Sequence, residues 1–333
     1  MRIAVLFGGV SEEREVSIAS AAQIIPALRS LGHEVFSVDT VAGRLPPADE
    51  QRMLATGVAP DPPSDTQIAA VRDRAVRFSP ANFDIKTVDV VFLALHGGVG
   101  EDGRVQAMLD LAGMTYTGSN HIASAAAMDK DLSKRLFRSV GVPTPDWMMA
   151  PASPQELESA TGWPLVVKPN KQGSTVGLRV VRNSSQLQAA VDTALLYDSE
   201  VMMERFIRGR EFTVGILDGV ALPVGEILGI DEVFDYRAKY QAGAAREIFP
   251  ADISASEAQR MQEYALRAHT VLKLGAYSRI DFRCDDDAMP WCLEANSLPG
   301  MTSTSLLPQA ASAAGIAFPD LLERICKGAV KSR

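Results

Sequence analysis

Residues 292–303 read "CLEANSLPGMTS". Glu294 and Asn296 stand two apart in an otherwise apolar run, so on a strand both side chains point to one face. Pro299 and Gly300 end the run, and a Thr/Ser cluster follows. An acid and an amide sharing one face of a strand that looks buried require a partner.

That partner lies just upstream. "AYSRIDFRC" and "PWCLEAN" are strand-like runs joined by "DDDAMP", which predicts a hairpin. Alternation puts Arg279 and Asp281 on one face, with Ile280 and Phe282 on the other. A symmetrical turn sets Asp281 opposite Glu294 and Arg279 opposite Asn296; a one-residue slip would undo both pairings. Two carboxylates and an amide oxygen crowded together repel and lose hydration unless a cation joins them. The donors are hard oxygens with no imidazole or thiolate nearby. This set selects magnesium, which takes one or two carboxylates plus phosphate oxygens and water. The plainer alternative is a solvated face with an Arg–Asp pair. The apolar opposite face and the Pro-Gly break favour the metal.

Magnesium held this way implies a phosphate. Lys168, in "LVVKPN", sits at a strand end before "KQGSTVG" (171–177), whose glycines and hydroxyls let backbone N–H groups close over phosphate oxygens. Taken alone, this loop reads as a plain hairpin turn, and G-x-x-x-x-G-K-[ST] occurs nowhere. Lys130, in "MDKDLSK", reads alone as a solvated helix lysine. "GGVSEEREVS" follows the first strand but lacks the third glycine of G-x-G-x-x-G, and only Asp39 follows the second strand, so a dinucleotide site is not favoured. Glu12 and Glu13 fall near a helix start, where a carboxylate either caps the helix or grips a cationic group. "MTSTSLLPQAASAAG" reads as another helix start, with Ser305 as N-cap and Pro308 tolerated in the first turn. Its free N–H groups suit a carboxylate or phosphate.

The chain's 333 residues exceed one ordinary core, and 47% are hydrophobic, enough to fill two or three. No apolar run approaches the ~18–20 residues that span a bilayer. "MRIAVLFGGV" reads as a first strand rather than a signal peptide, so a cytoplasmic protein is expected. Cys284, Cys292 and Cys326 fit no metal spacing and read as buried thiols. A net charge of −8 argues against a nucleic-acid surface.

The first third reads as a doubly wound α/β unit, through "RIAVLF", a helix that Pro26 should kink, "HEVFSVDT" and "VDVVFLALHGG". Residues 43–66 read as an irregular, proline-rich excursion. One helix around "AMDKDLSKRLFRSVG" opens a second region, with strands either side of the 171–177 loop and at "EVMMERFI". From about residue 209 come hairpins, a polar loop and a long helix over 256–274. The mixture predicts three α/β or α+β units, divided as 1–119, 120–208 and 209–333.

In this order, "LFGGVSEEREVS", "LALHGGVGEDGRVQ", "MDK", "VVKPNKQGSTVG", "REFTVGIL", "FDYRAKY", "SRIDF" and "LEANSLPGMTSTSLLP" are together highly specific. The whole chain resembles the D-alanine–D-alanine ligases of the ATP-grasp superfamily. The resemblance implies ATP clasped between the second and third units, with two magnesium ions (manganese as the alternative) on Asp281, Glu294 and Asn296. Lys130 and Lys168 would hold the α- and β-phosphates, and Ser174 and its loop would close over them. Glu204 and the Ile207 backbone would take the adenine edge, with Arg205 beside them where a lysine is often found, and Glu211 would take the ribose. Lys239 would reach the γ-phosphate, and Tyr240 would close the site towards Ser174 and Glu13.

The implied chemistry has two steps: the carboxylate of one D-alanine attacks the γ-phosphate, then the amine of a second attacks the acyl phosphate. Glu13 would bind the first substrate's ammonium group, with His96 nearby. Arg279 and the Gly300 amide would serve the tetrahedral oxyanion, and Ser305 and the Leu306 amide the second carboxylate. Ester-forming relatives carry a different residue in the Tyr240 loop, so a dipeptide product is expected; the runner-up is another ATP-grasp ligase joining different amino or hydroxy acids, such as D-alanine with D-lactate. A regulator that has lost catalysis and an NAD-dependent enzyme are the readings from other classes. The resemblance also implies a homodimer through the first unit, no membrane partner and a role in peptidoglycan synthesis. Leu298 stands where a small polar residue is expected, and the shared mechanism leaves 43–66 unexplained.

Overall fold

The computed structural model describes residues 1–59, 63, 65–74, 87–228 and 246–331. Three sheets organise them. In the first, β1 (Arg2–Phe7) lies between β2 (Glu34–Asp39) and β4 (Val90–Leu93), parallel to both, with the two-residue β3 (Gly43–Arg44) on the β2 edge. Ile3 through Phe7 are wholly buried, as expected for a strand covered on both faces. Helix α1 (Arg14–Ser30) runs on through Pro26.

The second sheet is antiparallel, in the order β5 (Trp147–Met149), β8 (Val201–Arg205), β6 (Leu165–Pro169), β7 (Arg179–Val181). The third is centred on β9 (Arg210–Leu217), which pairs with β13 (Tyr277–Cys284); β13 pairs in turn with β14 (Pro290–Asn296). On its other side β9 pairs with β11 (Gly225–Leu228), which pairs with β12 (Arg246–Ile248), while β10 (Val220–Ala221) adds to β9. Phe212, Val214, Ile280 and Phe282 form its buried face against Met261, Ala265 and Ala268 of a helix over Ala255–Val271. That helix opens with a reciprocal cap between Ser254 and Glu257, satisfying two N–H groups the helix itself cannot.

The last two helices, Leu306–Ala313 and Phe318–Lys331, return to the first sheet. Leu307, Leu321, Ile325 and Cys326 share one core with Ile3, Val5 and Phe92. Among the described residues no helix is long and apolar enough to cross a membrane.

Two expectations need correction. The stretch 43–66 is not wholly irregular: after β3, Pro47 opens a helix, α2 (Pro47–Leu54), where its missing N–H costs nothing. The helix expected around "AMDKDLSKRLFRSVG" is two helices, one over His121–Met128 and one over Lys130–Ser139. Asp129 divides them: its backbone is extended, and its carboxylate accepts from the Leu132 amide. The cap outcompetes continuation of the helix.

Candidate active site

The hairpin has the register the alternation demands. Arg279 faces Asn296 and Asp281 faces Glu294, and the register shifts only beyond Asp281. Ile280 and Phe282 are fully buried on the other face. Arg279 grips Asp281 with a fork, Nε to Oδ1 at 2.9 Å and Nη2 to Oδ2 at 2.8 Å. Asn296 donates to the same carboxylate at 2.9 Å, and Thr213 of β9 at 2.7 Å. Because Nδ2 of Asn296 is the donor, its Oδ1 is the atom left to face a cation.

Opposite these oxygens stands Lys130, the first residue of the Lys130–Ser139 helix. Its ammonium lies 3.3 Å from Glu294 and donates to the Gln172 carbonyl at 2.6 Å. Behind it is a buried trio: Glu204 receives Lys168 on one oxygen at 2.7 Å and Lys134 on the other. Lys134 also donates to Thr144 at 2.5 Å and lies over the Trp147 ring. Burial alone would raise the Glu204 carboxyl, but the two ammonium groups outweigh it and hold it below the usual range. Burial pushes the Lys134 ammonium down to about 8, a shift its carboxylate partner only partly offsets.

Three further elements converge on this cleft. The 171–177 loop leaves β6 with Ser174 and Thr175 both at positive φ, 50° and 64°, a conformation costing on the order of 1–3 kcal/mol per non-glycine residue. It carries Ser174 onto Glu13, a hydrogen bond between this loop and the residue that precedes α1. Gly97 packs against Glu13 so closely that an added Cβ would stand 2.8 Å from its Oε2. Buried His96 lies behind, its Nε2 3.1 Å from Ser20 Oγ and its Nδ1 3.7 Å from Glu101. On the far side, Ser305 precedes the Leu306–Ala313 helix in extended backbone, as an N-cap residue should. Its hydroxyl does not cap that helix: it accepts from the Thr302 amide at 3.1 Å.

One cleft is lined by Lys130, Lys168, Ser174, Glu204, Arg205, Ile207, Glu211, Arg279, Asp281, Glu294 and Leu306. A second, of about 290 Å³, joins Arg279 to Gly300, Ser305 and Leu306. Glu13 meets the first through Ser174; His96 lines a neighbouring cavity with Gln172. Lys239 and Tyr240 lie outside the described residues. The donor set fits a hard divalent cation: two carboxylates in facing register positions, an amide oxygen, and no nitrogen or sulfur ligand. Among the described residues the Ile207 amide makes no hydrogen bond, which suits an acceptor on a base. Sequence reading missed Lys134, Thr144, Thr213 and Arg283. Lys134 shares a helix face with Lys130, but that spacing carries no mark of burial on its own.

Two family models match the chain, D-ala D-ala ligase N-terminus over residues 2–119 and D-ala D-ala ligase C-terminus over residues 136–327. The chain is 42% identical over 332 residues to the D-alanine–D-alanine ligase of Gloeobacter violaceus, covering 98% of each. It is similar to the solved D-alanine–D-alanine ligase of Bacillus anthracis complexed with ATP, at 33% identity and TM-score 0.77, covering 100% of this chain and 98% of that one. It is also similar to the D-Ala:D-Ser ligase of Enterococcus faecalis, at 28% identity and TM-score 0.81, covering 98% and 99%. With likeness this extensive at both levels, the chain belongs to the D-alanine–D-alanine ligase family, enzymes of the ATP-grasp fold that join two D-alanine molecules using ATP.

Proposed function

We propose that the ligation runs in the cleft between the 120–208 and 209–333 units, with 1–119 supplying the first amino acid's site. The observation that carries this reading is the pairing of Asp281 with Glu294 beneath Lys130. Asp281, Glu294 and Asn296 would hold two magnesium ions, which supply charge neutralisation for the transferring phosphoryl group. Lys130 and Lys168 bind the α- and β-phosphates, and the Ser174 loop covers them. Glu204, Arg205 and Ile207 hold the base, Glu211 holds the ribose, and Lys239 meets the γ-phosphate. The ionised state of Glu204 supports its part, because a carboxylate accepts from an exocyclic amine.

Glu13, with His96 behind it, orients the first D-alanine through its ammonium group. Its carboxylate oxygen takes the γ-phosphoryl group, and ADP leaves. The amine of the second D-alanine, whose own carboxylate sits at Ser305 and the Leu306 amide, then attacks the acyl carbon. Arg279 and the Gly300 amide steady the oxyanion, the amine loses a proton, and phosphate departs. Tyr240 belongs to the cover that keeps water from the acyl phosphate. A cytoplasmic homodimer serving peptidoglycan synthesis completes the reading, on the strength of the family resemblance.

The test is ADP and phosphate release with ATP and magnesium, supplying D-amino or D-hydroxy acids singly and in pairs. Turnover should be greatest with D-alanine alone, giving the dipeptide and one phosphate each cycle. Turnover with D-lactate as second substrate matching that with D-alanine would overturn the dipeptide reading in favour of a depsipeptide ligase.

A further inference from the structure

Arg283 stands on β13 two positions past Asp281, is 9% exposed, and lines the cleft. The mechanism above gives it no part. Its single guanidinium meets three residues around the proposed adenosine site. Nη1 donates to the Ile207 carbonyl at 3.2 Å. The group lies over the Phe206 ring, 5.2 Å from its centre. Nε faces Glu211, its register partner on β9, at 3.5 Å, and finds no hydrogen-bond partner among the described residues.

The placement has a mechanical consequence. Phe206 and Ile207 lead out of β8, in the second unit, whereas Glu211 and Arg283 belong to the third. Arg283 is therefore a buried cation tying the linker between the two lobes to the strand that carries Glu211. A planar fork can serve the carbonyl, the ring and the carboxylate together; an ammonium group cannot. Once the Ile207 carbonyl is committed to Arg283, the residue's amide is the polar group left for the base.

We propose that Arg283 is a positioning residue for the adenosine half of ATP, fixing the Ile207 amide and the Glu211 carboxylate in one geometry and so setting nucleotide affinity and ribose discrimination. This rests on the assignment of Ile207 to the base and Glu211 to the ribose.

The experiment compares wild type, Arg283→Met, Arg283→Lys and Glu211→Gln for KM and kcat with ATP and with 2′-deoxy-ATP. Arg283→Met should raise KM for ATP about tenfold, the scale of one charge-assisted hydrogen bond. It should leave kcat and the KM for D-alanine within about twofold, and shrink the preference for ATP over 2′-deoxy-ATP. Arg283→Lys should not restore that preference; it also carries the test should Arg283→Met fail to fold. Unchanged KM and unchanged preference in the Arg283 variants, with Glu211→Gln losing the preference, would overturn the role of Arg283 alone. Unchanged preference in Glu211→Gln would instead remove the ribose assignment beneath it. A fall in kcat at constant KM would also overturn the proposal.

Discussion

At the scale of single residues, the site is a set of charges kept close by opposite charges. Asp281 accepts from Arg279, Thr213 and Asn296, so its carboxylate is oriented before any ligand arrives. Arg279→Lys keeps the charge but loses the fork. Loss of one oxyanion donor costs roughly 10²–10³ in kcat, so kcat should fall by about that factor while KM for ATP moves little; steady-state kinetics with ATP varied at saturating D-alanine checks this. Part of this chemistry was legible beforehand. Asp281, Glu294 and Asn296 could be paired because strand alternation is strict and their opposite faces are apolar. Lys134 and Arg283 could not. A lysine on a charged helix and an arginine on a strand carry no mark of burial until Glu204 and Glu211 are brought beside them from distant segments.

At the scale of elements, the hairpin and its neighbours show which local rules win. The β13–β14 register followed from pattern because a slip would turn Ile280 and Phe282 out of the core. The break at Asp129 and the helix at 47–54 were missed because short polar segments give little periodic signal, and a cap or an N-terminal proline decides them. The helix behind this sheet makes a pH prediction. Buried His269 accepts from or donates to Ser278 at 2.8 Å, and burial lowers its pKa from 6.5. As pH falls below 6.5 the unfolded chain gains a proton that the folded chain resists, so stability is lost in that window and is intact above it. Thermal unfolding between pH 7.5 and 5 should show a smaller acid loss in His269→Gln than in wild type; equal slopes would remove His269 as a cause.

At the scale of the whole molecule, the chain's end closes on its beginning. Ile325 and Leu321, near the C-terminus, are fully buried against the sheet built from residues 2–93. That return was not legible, since the closing helix's apolar stripe fits any sheet face. Large-to-small changes in such cores cost about 2–5 kcal/mol. Ile325→Ala should lower stability by that order in urea unfolding. It should speed amide exchange in β1 and in the Phe318–Lys331 helix together; faster exchange in the helix alone would contradict a shared core.

On this reading, facing β-strand oxygens grip divalent cations under a nucleotide. Manganese binding followed by electron paramagnetic resonance, with a non-hydrolysable ATP analogue present, tests it most directly. Wild type should bind two ions per chain. Asp281→Asn combined with Glu294→Gln should weaken them by at least about tenfold, the loss seen even for groups that only orient a ligand. Manganese held as tightly by the double variant as by wild type would contradict it.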